Sequence, residues 1–339
     1  MRKDIVEKKK YLMSEQAAKD LRIAAYSGTD ENGVRKCILL RIAGDRIDKV
    51  DIYAPDDIEC GDVYMGVILN SNPNISASFA DIGRGDPVFV SGVYKGGTIL
   101  PLVVKTLAFR EKLTKVSAKI PQGIAEEVAA KALHAVKGSC IYKADGVFEN
   151  SIKLVCDTPG AKWITEDESL YKRAYELASD KDKIVLHKDE NVSLCALYGL
   201  SSKLSRILSP RVNLRSGAEI VITETEAMCV IDVNTAKALT GKDKEETFFK
   251  INMEAVSEIA TQISARNLSG IIMVDLINMR SKESETILTA FLEESLKGIT
   301  PPARLEDITK LGIAEISRKR LKGSIYSEKA FLNSTILIK

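Results

Sequence analysis

The stretch CVIDVNTAKALTG, residues 229–241, begins like a buried β-strand and ends in small and polar residues. Asp232 and Asn234 are two positions apart within it, and residues i and i+2 of a strand point to the same face. Ile231 and Val233 therefore point to the opposite face. An acid and an amide that project together near the end of a strand indicate a polar site at that end.

The residues downstream predict a helix and then a second strand. Asp243 and Glu246 match a capping box at the start of the helix, and Ser269-Gly270 ends it. The apolar residues at helical spacing between these signals are Phe249, Met253, Val256, Ile259, Ala260 and Ile263. The nearly continuous apolar run IIMVDLINM, residues 271–279, follows as the second strand.

Strand, helix and strand form a βαβ unit, whose two strands are parallel and end at the same edge of the sheet. Asp232 and Asp275 each lie near such an end, and two carboxylates there could share one divalent cation. Mg²⁺ prefers one or two carboxylates together with waters and phosphate oxygens. Asn234 and Asn278 would then orient water or phosphate. The alternative is that these residues only cap turns.

The composition narrows the class of protein. A chain of 339 residues favours two or three domains, and 49 basic against 47 acidic residues means that any site for a polyanion is a local patch. Six scattered cysteines without a CxxC motif and only two histidines argue against a disulfide framework and a structural zinc site. No apolar run reaches the roughly 18 residues of a membrane span and no signal peptide opens the chain, so we expect a cytoplasmic protein.

The residues upstream of the site read mostly as short strands. Residues 21–54 predict a three-stranded antiparallel meander, and five runs between Gly61 and Ile120 predict a small closed barrel. Helical spacing occurs over residues 122–136, 167–179 and 192–208. A hairpin that turns at Ser216-Gly217 leads into the opening strand.

The barrel and a basic stretch are candidate nucleic-acid contacts. Phe79 and Phe89 lie on consecutive barrel strands, and the mixture of aromatic rings and cations around them is typical of surfaces that stack bases and follow phosphates. The accompanying residues are Tyr64, Lys95, Lys105 and Arg110. The alternative is that the rings fill the barrel. The stretch SRKRLKG, residues 317–323, is either a solvated helix face or a rim that contacts phosphate.

Several stretches resemble the ribonuclease E/G family of bacterial endoribonucleases, in the family's order and at compatible spacing. The resemblance covers most of residues 20–323. The stretches are GDVYMGVILNSNPNISASFADIG, LRSGAEIVITETEAMCVIDVNT, EETFFKINMEAVSEIATQISARNLSGIIMVDLINM and LGIAEISRKRL.

The resemblance implies an α/β protein of several domains, α+β overall. An S1-type OB-fold barrel is inserted in an RNase H-like subdomain, and a DNase I-like α/β catalytic subdomain follows. The implied boundaries are 1–20 for an N-terminal tail, 21–60 with 151–217 for the RNase H-like subdomain, 61–120 for the barrel, 121–150 for a reduced segment like the family's 5′-end sensor, 218–323 for the catalytic subdomain and 324–339 for a C-terminal tail.

The resemblance also implies roles for individual residues. Asp232 and Asp275 become the ligands of one Mg²⁺ per active site, and Asn234 becomes their catalytic neighbour. Together with the barrel and the basic stretch, this gives a set of residues predicted to contact single-stranded RNA: Phe79, Phe89, Tyr64, Lys143, Arg318 and Arg320.

The chain departs from the family pattern at three points. The stretch GSCIYKADG offers Lys143-Ala144 where the family has Arg-Thr in its pocket for an RNA 5′-monophosphate, so recognition of the 5′ end is expected to be lost. The CPxC zinc-link motif and the small domain after it are missing, so we expect no structural zinc, and any oligomer would not be zinc-linked. Ala236 stands where the family's DVNTGK variant has glycine.

The sequence therefore predicts a Mg²⁺-dependent endoribonuclease that cleaves single-stranded RNA and leaves 5′-phosphate products. The alternative from another class is a catalytically silent RNA-binding protein of the same fold. A Mg²⁺-dependent phosphohydrolase of small molecules fits the two acids but leaves the barrel unexplained.

Overall fold

The computed structural model of the protein describes residues 21–108, 112–235 and 244–337. Some residues on which the sequence predictions rest lie outside these ranges: the tail 1–20, Arg110, Ala236, Asp243 of the capping box and the end of the tail at 338–339.

Seventeen strands occur in the described residues. They are β1 Leu21–Thr29, β2 Arg35–Ala43, β3 Arg46–Tyr53, β4 Val63–Asn72, β5 Ala77–Asp81, β6 Val88–Ser91, β7 Ile99–Thr106, β8 Lys115–Ser117, β9 Cys140–Tyr142, β10 Lys162–Thr165, β11 Ile184–Leu186, β12 Arg211–Asn213, β13 Glu219–Glu224, β14 Met228–Asn234, β15 Gly270–Asp275, β16 Ala303–Ile308 and β17 Ile313–Arg318.

The α-helices of the described residues lie mainly in the second half of the chain. They are α1 Gln122–Ala132, α2 Val147–Asp157, α3 Glu168–Leu177, α4 Leu194–Leu197, α5 Leu200–Leu208, α6 Lys244–Ala265, α7 Lys282–Lys297 and α8 Lys329–Leu332. Short 3₁₀ segments cover Pro73–Ile75, Lys181–Lys183 and Ile325–Glu328, and a short π-helix covers Asn333–Leu337.

The chain forms two compact units. The first comprises Met1–Pro55, Ser151–Lys319 and Ser324–Lys339, and the second comprises Asp56–Asn150 and Arg320–Gly323. The second unit is thus an insertion in the first, because the chain leaves the first unit after β3 and returns to it before β10.

One sheet of the first unit has the order β11-β10-β1-β2-β3. The β1–β2 and β2–β3 pairs are the predicted antiparallel meander, while β10 and β11 add to it in parallel. Residues of both faces are buried on β2, whose centre is the apolar run Cys37–Leu40. Helix α5 covers this sheet with its stripe of Leu200, Leu204 and Ile207. The helix predicted over 192–208 is two helices, α4 and α5, because Gly199 breaks it with a left-handed backbone.

The second sheet of this unit has the order β12-β13-β14-β15-β17-β16. The predicted hairpin is present as β12–β13, and Gly217 turns it with a φ of 85°. Strands β14 and β15 are parallel and are joined by α6, which is the predicted βαβ unit. One face of the sheet packs on α6 and α7 through residues that include Ile231, Val274 and Leu292.

The insertion is a closed five-stranded barrel with an added strand. Strands β5, β6, β8, β7 and β4 follow one another around it, β5 pairs back with β4, and β9 joins the other side of β4. All five strands predicted in this region are present, and the barrel with its α/β surroundings confirms the predicted fold class. The core consists of alternate strand residues, among them Ala80, Val90, Leu102 and Val116.

Residues 325–336, which lie within the predicted C-terminal tail 324–339, are part of the first unit. Ile325, Phe331, Leu332 and Ile336 are all buried in the core beneath β1–β3. The segment is short and mixed in character, so no period in the sequence indicates that it folds.

Candidate active site

Asp232 and Asp275 are direct neighbours on adjacent parallel strands. The register pairs Asp232 of β14 with Asp275 of β15, each near the carboxyl end of its strand. Adjacent strands are about 4.7–4.9 Å apart, so residues paired in this way lie side by side on one face. Tertiary structure thus brings together two acids that are separated by 42 residues of sequence.

The two acids lie on the face of the sheet that α6 and α7 do not cover. Their strand neighbours Ile231 and Val274 are both 0% exposed in the core, whereas Asp232 is partly exposed and Asp275 is exposed. Alternation along each strand explains this difference. Solvent can therefore reach both carboxylates.

Asn234 is bound to the first acid. Its Nδ2 donates a hydrogen bond of 2.8 Å to Oδ2 of Asp232, which lies two residues earlier on the same face. The pair seen in the sequence is therefore one polar unit, in which the amide fixes the orientation of the carboxylate.

Asn278 lies in the segment that follows β15. It is exposed, and a Cβ placed on Gly312 would be only 2.6 Å from its Oδ1. Gly312 also has a φ of 86°, a conformation that other residues rarely adopt. The turn between β16 and β17 thus needs glycine both for its backbone and for the space that Asn278 occupies.

Helix α6 holds the backbone on both sides of the acids through polar side chains that the sequence reasoning missed. Asn252, 0% exposed, donates from Nδ2 to the Ile277 carbonyl at 2.7 Å and accepts from the Ile277 N–H at 3.0 Å. Glu245 Oε1 accepts from the N–H groups of Arg280 and Ser281, both at 2.9 Å. The segment after Asp275 is therefore fixed by two side chains of α6.

A third side chain of α6 holds the hairpin that precedes β14. The Glu254 carboxylate accepts from the N–H groups of Arg215 and Ser216, at 2.6 and 3.1 Å. In the sequence these residues are visible only as one asparagine and two acids within the helical pattern of α6. Their partners are backbone groups, which carry no mark in the sequence.

Phe79 and Phe89 form an aromatic pair on the outside of the barrel. They are opposite each other in the β5–β6 register, with ring centroids 6.1 Å apart and ring planes at 88°. Both are partly exposed, while their strand neighbours Ala80 and Val88 fill the core. Lys115 Nζ lies 5.8 Å from the centroid of the Phe89 ring. The rings therefore do not fill the barrel.

Tyr64 is in a different position. It is 1% exposed in the barrel core, burial raises the pKa of its hydroxyl to about 12, and Arg84 Nη2 donates to that hydroxyl at 3.3 Å. The predicted RNA contact by its ring is not possible in this arrangement, because the side chain lies inside the barrel.

Lys143 forms an ion pair within its own unit. Its Nζ is 2.8 Å from Oδ2 of Asp62, a carboxylate that is 0% exposed, and donates to the Asp57 carbonyl at 2.8 Å. The N–H of Ala144 donates to the other oxygen of Asp62 at 2.9 Å. An RNA phosphate would have to compete with a buried carboxylate for this ammonium group.

Arg318 is a structural residue, contrary to the RNA contact predicted for it. It ends β17 with 3% exposure, and its guanidinium donates to the carbonyls of Leu268, Thr300 and Pro301 and to Asn267 Oδ1. Burial lowers its pKa to about 10. Arg318 lies on a strand and not on a solvated helix face, and the alternation of β17 turns its side chain toward the interior. Arg320 is partly exposed in the second unit.

The described residues contain no group of three or more His, Cys, Asp or Glu side chains that could hold a metal ion. The described residues therefore offer no site in which protein side chains alone would surround a metal ion. The pair Asp232 and Asp275 could supply two ligands, with water or substrate as the others. In the same ranges no helix combines the length and the hydropathy that crossing a membrane requires.

The chain is similar to known proteins named Ribonuclease E or Ribonuclease G. The chain is 36% identical to Ribonuclease G of Haemophilus influenzae over 144 residues, which are 42% of this chain and 29% of that protein. It is 36% identical to Ribonuclease E of Escherichia coli over 143 residues, 42% of this chain and 13% of that protein. Ribonuclease G of Salmonella typhimurium is 30% identical over 158 residues, 47% of this chain and 32% of that protein.

The matched segments thus cover less than a third of the length of each of these relatives. The sequence model of the family extends further along this chain, over residues 99–321, which is 223 of 339 residues and includes β14, α6 and β15. The chain therefore belongs to the ribonuclease E/G family.

Proposed function

We propose that this protein is an endoribonuclease that uses Asp232, Asp275 and Mg²⁺ to cleave single-stranded RNA. The observation that carries the proposal is the register pair of these two carboxylates at the ends of parallel strands, with Asn234 bonded to the first. The names of the relatives, Ribonuclease E and Ribonuclease G, support the choice of RNA as substrate.

The two acids fit Mg²⁺ better than other common metals. Mg²⁺ is usually held by one or two carboxylates and keeps several waters and substrate phosphates as further ligands. Structural zinc sites use four nitrogen or sulfur ligands, and calcium takes six to eight oxygens. Bound between Asp232 and Asp275, Mg²⁺ would supply a water of lowered pKa and neutralise charge on the scissile phosphate.

The residues of the chain then have distinct tasks. Asn234 keeps the Asp232 carboxylate oriented through its Nδ2, and we assign the attacking water to its amide oxygen as hydrogen-bond acceptor. Asn252 and Glu245 hold the backbone beyond Asp275 in place. Attack of water on phosphorus, with departure of the 3′ oxygen, gives products with 5′-phosphate and 3′-hydroxyl ends.

The barrel supplies the second part of the proposal, which is binding of the single strand. Phe79 and Phe89 offer two partly exposed rings beside Lys115, and base stacking on such rings is worth about 1–3 kcal/mol per base. We assign the barrel to RNA binding and residues 218–323 to catalysis, with a cytoplasmic location.

The test is incubation of the purified protein with a labelled AU-rich single strand, in Mg²⁺ and in EDTA. Internal cleavage in Mg²⁺ but not in EDTA, with 5′-phosphate ends on the products, is the expected result. Tight binding without cleavage in either condition would instead identify a silent RNA-binding protein, which the aromatic pair on the barrel would equally explain.

A further inference from the structure

A cleft on the first unit does not include the two acids, and of its lining side chains only Glu245 has a task in the proposed function. It lies between the first turns of α6 and the segment that leads into α7, and its lining is Lys244, Glu245, Phe248, Arg280 and Ser281. Its volume of about 440 Å³ falls in the range of small-molecule sites.

The helix geometry explains why a cation and a ring share one side of this cleft. Lys244 and Phe248 are four residues apart on α6, so their side chains lie on the same face, one turn above the other. Phe249 is 5% exposed in the core, which fixes the rotation of the helix and leaves Phe248 partly exposed.

Arg280 faces Lys244 and Phe248 from the other wall. Glu245 binds the N–H groups of Arg280 and Ser281, so the backbone that carries the arginine is held against α6. Both Lys244 and Arg280 are exposed, and within the described residues neither forms an ion pair with a carboxylate. Among the described lining residues, the side chains thus combine the two cations Lys244 and Arg280 with the carboxylate of Glu245.

The cleft is close to the candidate active site along the chain. Arg280 follows Asp275 by five residues, so their Cα atoms cannot be more than ~18 Å apart. Lys244 begins the helix that connects β14 to β15, and helix α7 begins directly after Ser281. One RNA strand is therefore long enough to reach both the two acids and the cleft.

We propose that this cleft is a subsite for one nucleotide of the RNA strand beside the scissile phosphate. Lys244 and Arg280 contact a backbone phosphate, and the ring of Phe248 stacks on the base. This subsite rests on the proposed endoribonuclease function and adds to it a second base-binding position apart from the barrel.

The test uses the variants Lys244→Gln, Arg280→Gln and Phe248→Leu, with Lys250→Gln as the matched control. Lys250 lies on the same helix but pairs with Glu246 at 2.7 Å outside the cleft. Binding of a fluorescein-labelled AU-rich single strand is measured in EDTA over a range of salt concentrations, and cleavage of the same strand is measured in Mg²⁺. Melting temperatures show whether each variant is folded.

We expect Lys244→Gln and Arg280→Gln each to weaken binding about threefold to tenfold, to lower the salt dependence by about one phosphate contact, and to raise KM with little change in kcat. Phe248→Leu is expected to weaken binding about fivefold or more at unchanged salt dependence. Lys250→Gln should bind and cleave like the wild type.

The outcomes separate the subsite from the proposed function. Wild-type cleavage with all three cleft variants unaffected overturns the subsite and leaves the nuclease standing. Absence of wild-type cleavage, with binding weakened only by the cleft variants, keeps the subsite and overturns the nuclease. If Phe248→Leu lowers the melting temperature, the subsite is tested by the salt dependence of Lys244→Gln and Arg280→Gln: an unchanged salt dependence in both overturns it.

Discussion

Replacement of Asn252 by leucine tests how the backbone beyond Asp275 is held. The side chain is 0% exposed and makes two hydrogen bonds, of 2.7 and 3.0 Å, to the carbonyl and the N–H of Ile277. Leucine has a similar volume but no polar atoms, so both backbone groups lose their partner. Loss of its partner costs each of these two groups about 1–3 kcal/mol, and the lower half of this range applies because Ile277 is partly exposed.

We therefore expect Asn252→Leu to lower the free energy of unfolding by about 2–4 kcal/mol, as measured by urea denaturation. We also expect kcat/KM for cleavage of a labelled single strand to fall about tenfold to hundredfold. The reason is that the segment next to Asp275 would shift, and displacement of a catalytic group by about 1 Å can cost a hundredfold in rate.

The matched control is Ile263→Ala, a truncation of a residue on the same helix that is also 0% exposed. It should cost about 2–5 kcal/mol through the cavity that it leaves, and it removes neither of the two hydrogen bonds of Ile277. At a temperature where both variants are folded, its activity should equal that of the wild type. Equal activities of the two variants would refute the idea that Asn252 positions the catalytic segment.

Three further predictions concern the acids, the barrel and the 5′ end. Asp232→Asn and Asp275→Asn should each abolish most Mg²⁺-dependent cleavage while RNA binding is retained, and the double variant should be little worse than either single one; near wild-type activity in either would exclude the mechanism. Phe79→Ala and Phe89→Ala should each weaken binding of a single strand by ~1–3 kcal/mol at a nearly unchanged melting temperature, whereas a lower melting temperature with unchanged affinity would mean that the rings are structural. Because Lys143 is paired with the buried Asp62, kcat/KM on one RNA with 5′-monophosphate, 5′-hydroxyl or 5′-triphosphate ends should be nearly equal, and a tenfold preference for the monophosphate would contradict this.

Much of the fold was predictable from the periodicity of the sequence. The five runs of the barrel, the meander of β1–β3 and the βαβ unit around α6 were all predictable, because alternating or helical spacing reports which face of an element is buried. The strands β9–β11 and β16–β17 were not predicted. They are mostly short or irregular, and neighbours far away in the sequence hold them in their sheets.

The candidate site, too, was predictable in part from the sequence. That Asp232 and Asn234 share a face followed from their spacing, and that Asp275 ends a parallel strand followed from the βαβ unit. The register that places Asp275 directly beside Asp232 required the structure, because a shift of one residue would turn one acid toward the core without changing the pattern of the sequence.

Burial of individual polar residues was decided by tertiary structure alone. Arg318 and Tyr64 have side chains that suit an RNA surface, yet the first is surrounded by backbone carbonyls and the second lies inside the barrel. Asn252 looked like an ordinary polar residue of a helix, yet it holds the segment beside Asp275. Sequence determines which groups a side chain can bond to and which face of its own element it occupies. The partners of Asn252 and Arg318 are mostly backbone groups of other segments, identical at every position of the chain, so only the folded structure selects among them.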